Sequence, residues 1–373
     1  MKTNILLICL AIGLVFCFAG CDGSGSNNFE ITSSTAWLNF KANTENVKIS
    51  TIVDSDGTPS SPDPSLEYSV DGGKTWKNFK IGDTTVTLKN AGDKMYIRAV
   101  DKNIAFSDDD EDLNFRFITF TMTGSVAAGG NVMSLVDKDC KSKEIPSRVC
   151  FSSLFENCTG LTSAPILPAT TLKKGCYSGM FYNCPSLTKA PVLPATELAE
   201  NCYGQMFIGC TSLTVAPELK STVLKNNCYE GMFINSGITA APELPAETMT
   251  ERCYSGMFSG CTALSEAPVL PATALAKSCY YRMFMGCTNL TAAPDLPATD
   301  WVKECYKEMF RDCTKLNRIT VHITEWPDWL EETTEDWVKN VSDSGDFYCP
   351  AGLDTSSPSD RRNPSGWTVH DLP

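Results

Sequence analysis

The chain has 373 residues and a formal net charge of −13, and 42% of its residues are hydrophobic while 20% are charged. This composition is typical of a folded globular protein and excludes wholesale disorder. The acidic balance argues against a nucleic-acid partner, because such a partner requires stripes of Lys and Arg. The sequence contains two histidines, His322 and His370, so catalysis and metal sites built on histidine have few candidates.

Residues 1–20 combine one lysine, a long apolar run and small residues at the end, which is the pattern of a bacterial secretory signal. Cys21 follows directly, and the segment Phe18-Ala19-Gly20-Cys21 resembles a lipobox, in which the thiol of Cys21 would carry a lipid. An ordinary signal peptide or an uncleaved anchor is the alternative. Residues 21–28, rich in Gly, Ser and Asn, are typical of a flexible tether. We therefore expect export across the inner membrane and anchoring through the lipid.

Residues 29–135 predict a sandwich-like β domain. Short runs such as Val47–Val53 and Met95–Val100 alternate apolar and polar residues, and turn residues separate them, as in antiparallel sheets. The segment Ser69–Trp76 resembles an Asp box, in which Asp and Gly close a hairpin turn and Trp packs beneath it. We interpret it as a hairpin corner, with a glycan site as the alternative. The acidic run 107–112 is interpreted as a solvated loop rather than a Ca²⁺ site, because its spacing is not that of an EF-hand.

From Cys150 onward the chain repeats with a nearly constant period, which dictates the architecture. The consensus is C-Y-x-x-M-F-x-x-C-x-x-L-x-x-A-P-x-L-P-A-T-x-L-x-x-x, and every step is 26 residues except one of 25. The fourth unit is the short one, and Ser236 stands where its second Cys belongs. The seven units begin at Cys150, Cys176, Cys202, Cys228, Cys253, Cys279 and Cys305.

Each unit predicts one short helix followed by one short strand. Leu172, Cys176, Met180 and Phe181 fall at positions i, i+4, i+8 and i+9, which is one face of a helix. The residue before the second Cys position is Asn, Gly or Asp in all seven units, and these residues tolerate a left-handed conformation that would end the helix. The A-P-x-L-P segment that follows is extended, and its first proline lacks an N–H, so the strand must be short.

A unit of this size cannot bury its own apolar face, so neighbouring units must stack into a solenoid. Strands stack at ~4.8 Å and helices at ~8–10 Å, and this mismatch predicts curvature with the strands on the concave side. We therefore predict an α+β fold. The β domain over residues 29–135 precedes a curved solenoid of seven units over residues 136–325.

The motif C-Y-x-x-M-F-x-x-C-T-x-L resembles the BspA-like leucine-rich repeats of surface lipoproteins in Bacteroidota-type bacteria. The resemblance covers residues 145–325, nearly half of the chain. It implies a leucine-rich-repeat solenoid, a lipid anchor in the outer membrane with exposure at the cell surface and, for some members, adhesion to host matrix proteins or to other bacteria. The A-P-x-L-P segment departs from the more aliphatic strand of that family, so we expect a ragged sheet.

Fifteen cysteines follow Cys21, and thirteen of them belong to the repeats. The two cysteines of one unit are eight residues apart, which is ~12 Å along a continuous helix and exceeds the ~7 Å Cα limit for a disulfide. We favour reduced cysteines in buried ladders, with bridges between neighbouring units, such as Cys158–Cys176, as the alternative. Zinc is not expected, because C-x₂-C spacing and a nearby histidine are both missing.

Two positions of each strand segment vary while their neighbours recur, and we take them as a candidate binding surface. One lies just before the Ala of A-P-x-L-P and the other lies between its first Pro and Leu. Neutral drift on a solvated face is the alternative. The recurring tyrosine after the first Cys is interpreted as packing between units rather than as a row that stacks on sugars. The candidate residues are Ser163, Ile166, Lys189, Val192, Val215, Glu218, Ala240, Glu243, Glu266, Val269, Ala292 and Asp295.

Residues 326–373 lack the motif and are interpreted as a cap for the stack, with a possible helix over Trp326–Val341 and strands at Phe347–Cys349 and Trp367–His370. The whole pattern predicts a non-enzymatic binding or adhesion protein whose ligand is a protein or a glycan. A structural envelope component is the first alternative, and a glycan-active enzyme with paired carboxylates is the second. No catalytic residue, cofactor or metal site is expected, and membrane contact is expected through the lipid alone.

Overall fold

The computed structural model describes residues 37–56, 62–109, 115–328 and 330–372, and these belong to one compact unit. The predicted signal over residues 1–20, the lipidation site Cys21 and the tether over residues 21–28 lie outside the described residues. The second half of the predicted acidic loop lies outside them as well.

Short β-strands dominate the described chain before the repeats, and a 3₁₀ turn at Val132–Leu135 ends this part. Alternation in the first strand buries Leu38, Phe40 and Ala42, as the period of two in its sequence predicts. The strands are β1 Leu38–Ala42, β2 Val47–Asp56, β3 Leu66–Ser69, β4 Lys77–Phe79, β5 Val86–Leu88, β6 Lys94–Ala99, β7 Asp108–Asp109, β8 Phe115–Thr123 and β9 Val126–Gly129.

These strands pair into two antiparallel sheets, one in the order β9-β1-β6-β3-β4 and the other in the order β5-β2-β8-β7. Phe40 of the first sheet and Phe120 of the second have ring centroids 5.0 Å apart, so the buried faces of the two sheets pack against each other. The sandwich-like arrangement predicted for this part of the chain is therefore present.

The segment that resembles an Asp box forms the corner between β3 and β4, as predicted. The Asp71 carboxylate accepts hydrogen bonds from the backbone N–H groups of Lys74 and Thr75, each at 3.0 Å, and from the Thr75 hydroxyl. These bonds hold the pKa of Asp71 well below its usual range. The Trp76 indole N–H donates to the Gly73 carbonyl at 3.0 Å, which packs the ring beneath the turn. All of these contacts stabilise the hairpin itself.

The first repeat unit joins the β domain directly. Its strand β10, Leu161–Ser163, pairs in parallel with β9 and extends the first sheet. The Phe155 ring of the same unit lies 5.7 Å from Phe120 and 6.1 Å from Phe40, centroid to centroid. The hydrophobic core therefore continues from the sheets into the repeats.

The prediction of a short helix at the start of each unit is wrong, because these residues form a run of tight turns. Along the second unit, Gly175, Gly179 and Asn183 all have positive φ angles, and the corresponding residues of the other repeat units do too. A left-handed residue every fourth position is incompatible with a right-handed helix. We call the stacked segments the turn wall; they are residues 149–157, 175–183, 201–209, 227–235, 252–260, 278–286 and 304–312.

Backbone hydrogen bonds join each segment of the turn wall to the next unit. The Phe181 N–H donates to the Met206 carbonyl at 3.0 Å, and the Phe207 N–H donates to the Met232 carbonyl at 2.8 Å. Intervening residues bond within their own turn, as Met180 N–H does to Tyr177 carbonyl at 3.2 Å. A segment of nine residues is too short for a stable isolated helix, so this bonding between units satisfies the backbone instead.

Aromatic side chains form two buried ladders inside the turn wall, one of tyrosines and one of phenylalanines. Ring centroids in neighbouring units are 5.5 to 6.1 Å apart and the rings are nearly parallel. The tyrosines are almost completely buried, so the packing interpretation of that row is confirmed. This step between units exceeds the ~4.8 Å spacing of strands by only about 1 Å. The difference in spacing between the two sides of the stack, from which we predict curvature, is therefore smaller than helices packed at ~8–10 Å would give.

The cysteines form two further buried ladders, and all fifteen cysteines of the described chain are free thiols. The second Cys of a unit donates a weak hydrogen bond to the Phe carbonyl of the preceding unit, as Cys184 Sγ does to Phe155 O at 3.0 Å. Ser236 keeps its place in the ladder, with its hydroxyl 3.4 Å from Cys261 Sγ. The prediction of reduced, buried ladders is confirmed.

On the opposite side of each unit, the A-P-x-L-P segments of the middle units form no long strand, and one isolated bridge joins Val215 and Ala240, the residues just before two of these segments. The expected ragged sheet is therefore present. A regular parallel sheet forms toward the C-terminal end, in the order β11 Ala292–Leu296, β12 Arg318–Val321, β13 Asp346–Cys349 and β14 Thr368–Asp371. The last two strands match the predicted ones to within one residue.

The helix predicted over Trp326–Val341 is wrong except at α1, Leu330–Thr333. Residues 332–340 instead continue the turn wall. The Phe310 N–H donates to the Trp337 carbonyl at 2.8 Å, and the buried Trp337 ring follows Phe310 in the aromatic ladder, 6.2 Å away. The C-terminal segment thus extends the stack with units whose motif has been lost from the sequence.

Candidate functional site

The candidate surface residues lie on the outer side of the A-P-x-L-P segments. Ten of the twelve are exposed, and Ser163 and Ala292 are half-buried. The Pro and Leu that flank the second candidate position of each unit are buried or half-buried, whereas the candidate residue between them is exposed. We call this side of the molecule the strand face.

In the sixth unit, a β-bulge places both candidate positions on the same side. Ala292 pairs with Arg318 and Asp295 pairs with Thr320, so three residue steps in β11 match two steps in β12. Side chains two residues apart share one face of a strand, so the extra residue in β11 turns Asp295 to the side of Ala292. The Ala-Pro pair between the two positions contains this extra residue.

The strand face extends beyond the twelve candidates into the C-terminal sheet. Arg318, Asp346 and Thr368 continue the first column, and Thr320, Tyr348 and His370 continue the second. These residues carry no A-P-x-L-P motif, so sequence alignment of the units misses them. Polar and apolar residues alternate over residues 318–323, one period after β11. This alternation predicts a strand there and could have identified the extension.

Side-chain contacts hold the residues of this C-terminal extension of the strand face in place. The Tyr348 ring stacks on the His370 ring with 4.8 Å between centroids. The Arg318 guanidinium lies over the Tyr348 ring, 4.8 Å from its centroid. His370 Nε2 is 2.7 Å from Asp346 Oδ1, and His322 Nε2 is 2.8 Å from Asp295 Oδ1. Both histidines therefore pair with a carboxylate on the strand face.

Charge and hydropathy change along the strand face. The early units present Ile166, Val192 and Val215, with the exposed lysines Lys143 and Lys189 beside them. The third unit also presents Glu218, whose carboxylate pairs with Lys220 at 3.2 Å. Later units present mainly carboxylates, namely Glu243, Glu266 and Asp295, together with one exposed valine, Val269. A single ligand that covered the whole face would meet an apolar, basic end and an acidic end.

Two negative findings apply to the described residues. No group of three or more His, Cys, Asp or Glu side chains there is close enough to hold a metal ion. None of the helices in that part of the chain has the length and apolar character required to cross a bilayer.

The repeats match one known protein family. The profile of the BspA type leucine-rich repeat region matches residues 139–265 and 243–328, with six copies, and so spans about half of the chain. Comparison with curated proteins and with solved structures gave no match. The period, the stacked units and this profile agree, and the chain belongs to the BspA-type leucine-rich repeat family.

Proposed function

We propose that this protein is a cell-surface lipoprotein, anchored through Cys21 to the outer membrane, whose strand face binds a protein or glycan without catalysis. The observation that carries the proposal is the combination of a recurring core with exposed positions that differ from unit to unit. Solenoid repeats commonly use such surfaces for binding, because a rigid stack presents variable side chains at fixed spacing.

The turn wall supplies the rigidity that such a surface needs. Backbone bonds between units and two aromatic ladders fix the position of each unit relative to the next. Side chains on the strand face are therefore held before a ligand arrives, which lowers the entropy lost on binding.

Binding can be tested with the soluble chain from residue 22 onward on an array of matrix proteins, glycans and bacterial surface proteins. We expect at least one ligand whose binding falls about tenfold when Glu243→Lys and Glu266→Lys are combined, because their charges reverse on the strand face. Gln205→Lys, at an exposed position of the turn wall, is the matched control and should bind normally. A ligand that is equally sensitive to both variants would contradict the assignment of the face.

Attachment can be tested in cells. Replacing Cys21 by Ser should release the protein from the membrane fraction, and protease added to intact cells should degrade the unaltered protein. A protein that resists surface protease and whose deletion weakens the envelope without changing adhesion would favour the structural alternative.

A further inference from the structure

An apolar groove crosses the first three units of the strand face. It consists of two adjoining hollows of about 390 and about 430 Å³. The hollows share residues 189–192, and the first lies against residues 163–168 while the second lies against residues 215–218. We call this feature the unit 1–3 groove.

The groove lies where the strand face has no paired ladder. In residues 189–195, no backbone–backbone hydrogen bond connects this unit to either neighbour. Pro191 lacks an N–H and cannot donate such a bond. The gap on each side of this segment is a hollow instead of a paired ladder.

The lining of the groove indicates what it binds. Three exposed aliphatic side chains, Ile166, Val192 and Val215, project beside it, and Val192 and Val215 are 73% and 71% exposed. Monomeric proteins seldom expose such residues as a group unless the group binds something. No aromatic ring lines the groove, so it lacks the platform on which sugars usually stack.

Two lysines add a charge preference. Lys143 and Lys189 line the first hollow, are exposed, and form no ion pair within the described part of the chain. The carboxylate at the second hollow belongs to Glu218 and is paired with Lys220 at 3.2 Å. The chain as a whole has a net charge of −13, so two unpaired lysines side by side form a local positive charge of the opposite sign. An occupant with carboxylates near its apolar side chains would complement them.

Spacing favours an extended occupant. Neighbouring units step by 5.5 to 5.6 Å along the phenylalanine ladder at this end of the stack. An extended peptide places every second side chain about 6.6 Å apart, so two alternate side chains can enter the two hollows.

Resting on the binding function proposed above, we propose that the unit 1–3 groove binds an extended segment of a partner protein that carries two alternating aliphatic side chains and a nearby carboxylate. The aliphatic side chains occupy the hollows, and the carboxylate pairs with Lys143 or Lys189. The acidic half of the strand face remains free for other contacts.

The probe for this proposal is a library of random dodecapeptides displayed on phage and selected on the soluble chain from residue 22 onward. We expect enrichment of aliphatic residues at alternate positions together with Asp or Glu. Combining Val192→Asp with Val215→Asp should weaken a selected synthetic peptide about tenfold or more. Val223→Asp is the matched control, since Val223 is 65% exposed in the third unit but lines neither hollow and is not a candidate position of the strand face. It should change the affinity less than about twofold.

Charge reversal gives a second readout. Lys189→Glu should weaken the acidic peptide and improve binding when Lys replaces the acidic residue of that peptide. Selection of basic or aromatic peptides, failure to enrich any peptide, or equal loss in Val192→Asp and Val223→Asp would overturn the proposal. So would a homodimer that Val192→Asp dissociates. If the ligand found on the array loses affinity with the Glu243 and Glu266 changes but ignores every groove variant, the binding function stands and the groove proposal falls.

Discussion

At the scale of single residues, backbone conformation limits what the repeats can contain. Each turn-wall segment needs a left-handed residue at three positions, and Gly and Asn occupy many of them. Non-glycine residues such as Arg252 and Arg282 also adopt this conformation, and both pair with a Glu of a neighbouring unit. Contacts between units thus offset local backbone strain of about 1 kcal/mol per residue.

Substitutions at Gly209 measure the free-energy cost of the left-handed backbone conformation without a steric clash. Its φ is 71°, and the nearest atom to an added Cβ lies 3.5 Å away, so a side chain fits without a clash. We expect Gly209→Val to lower the free energy of unfolding by about 2 kcal/mol and Gly209→Asn by less than about 1 kcal/mol, because Asn tolerates positive φ. Urea unfolding of both variants measures the difference, and equal losses would contradict this explanation.

The buried thiols make stability depend on pH. Burial raises the pKa of Cys305 and Cys313 to about 12, whereas an exposed thiol loses its proton near 9.0. Between these values the unfolded chain binds fewer protons than the folded one, so the free energy of unfolding falls as pH rises, by about 1.4 kcal/mol per pH unit for each thiol.

We therefore expect the urea midpoint to stay level between pH 6 and 8 and to fall steeply above about pH 9. A thiol reagent at pH 8 should label none of the repeat cysteines in the folded protein and all of them after unfolding. Labelling of the folded protein at Cys176 or Cys202 would show that the ladders open.

At the scale of elements, the phenylalanine ladder is the part of each unit most sensitive to truncation. Phe207 is fully buried between Phe181 and Phe233, with ring centroids 5.6 and 5.7 Å away. We expect Phe207→Ala to lower the free energy of unfolding by about 3–5 kcal/mol, because it leaves a cavity between two rings. Val269→Ala, at an exposed position, should change it by less than about 0.5 kcal/mol. A loss below about 1 kcal/mol in Phe207→Ala would mean that neighbouring units close around the gap.

The sequence predicts the units but not the local structure of the turn wall. Leu172, Cys176 and Met180 recur every four residues, and both a helix and a chain of four-residue turns bring such residues to one side. Gly175, Gly179 and Asn183 distinguish the two, because three residues prone to positive φ at four-residue steps oppose a helix. The prediction of a left-handed residue covers only the last of the three positions, Asn183, where this conformation is confirmed.

The strand face was predictable where the motif persists and not beyond it. Variation between recurring neighbours identifies positions such as Val192 and Glu243 as outward-facing, and both are exposed. Tyr348 and His370 belong to the same face through strand pairing, which connects residues 22 positions apart in segments without a shared motif. The groove depends on missing hydrogen bonds beside Pro191, which a one-dimensional pattern does not reveal.

At the scale of the whole molecule, the β domain and the repeats share one core. The boundary near residue 135 stays a prediction, and the contacts across it decide whether the β domain folds alone. Phe106 lies 6.3 Å from Phe151 of the first unit, centroid to centroid, and Phe120 lies 5.7 Å from Phe155. These rings would be exposed in a β domain cut off from the repeats.

We therefore expect an isolated segment of residues 29–135 to aggregate or remain unfolded, while the same segment extended through the second unit folds. A one-dimensional NMR spectrum of each segment is sufficient to decide. Dispersed methyl and amide signals from residues 29–135 alone would show instead that the sheets are independent of the repeats.

The ladders have one consequence for how such a chain can change over generations. A phenylalanine, tyrosine and cysteine recur at the same places in successive units, so the end of one unit matches the beginning of almost any other. Recombination between the similar coding segments can therefore add or delete one unit of 25 or 26 residues in a single event while leaving most ladder neighbours of the same residue type. The length of the array can vary in this way, and point changes at the outward positions can then diversify what each added unit recognises.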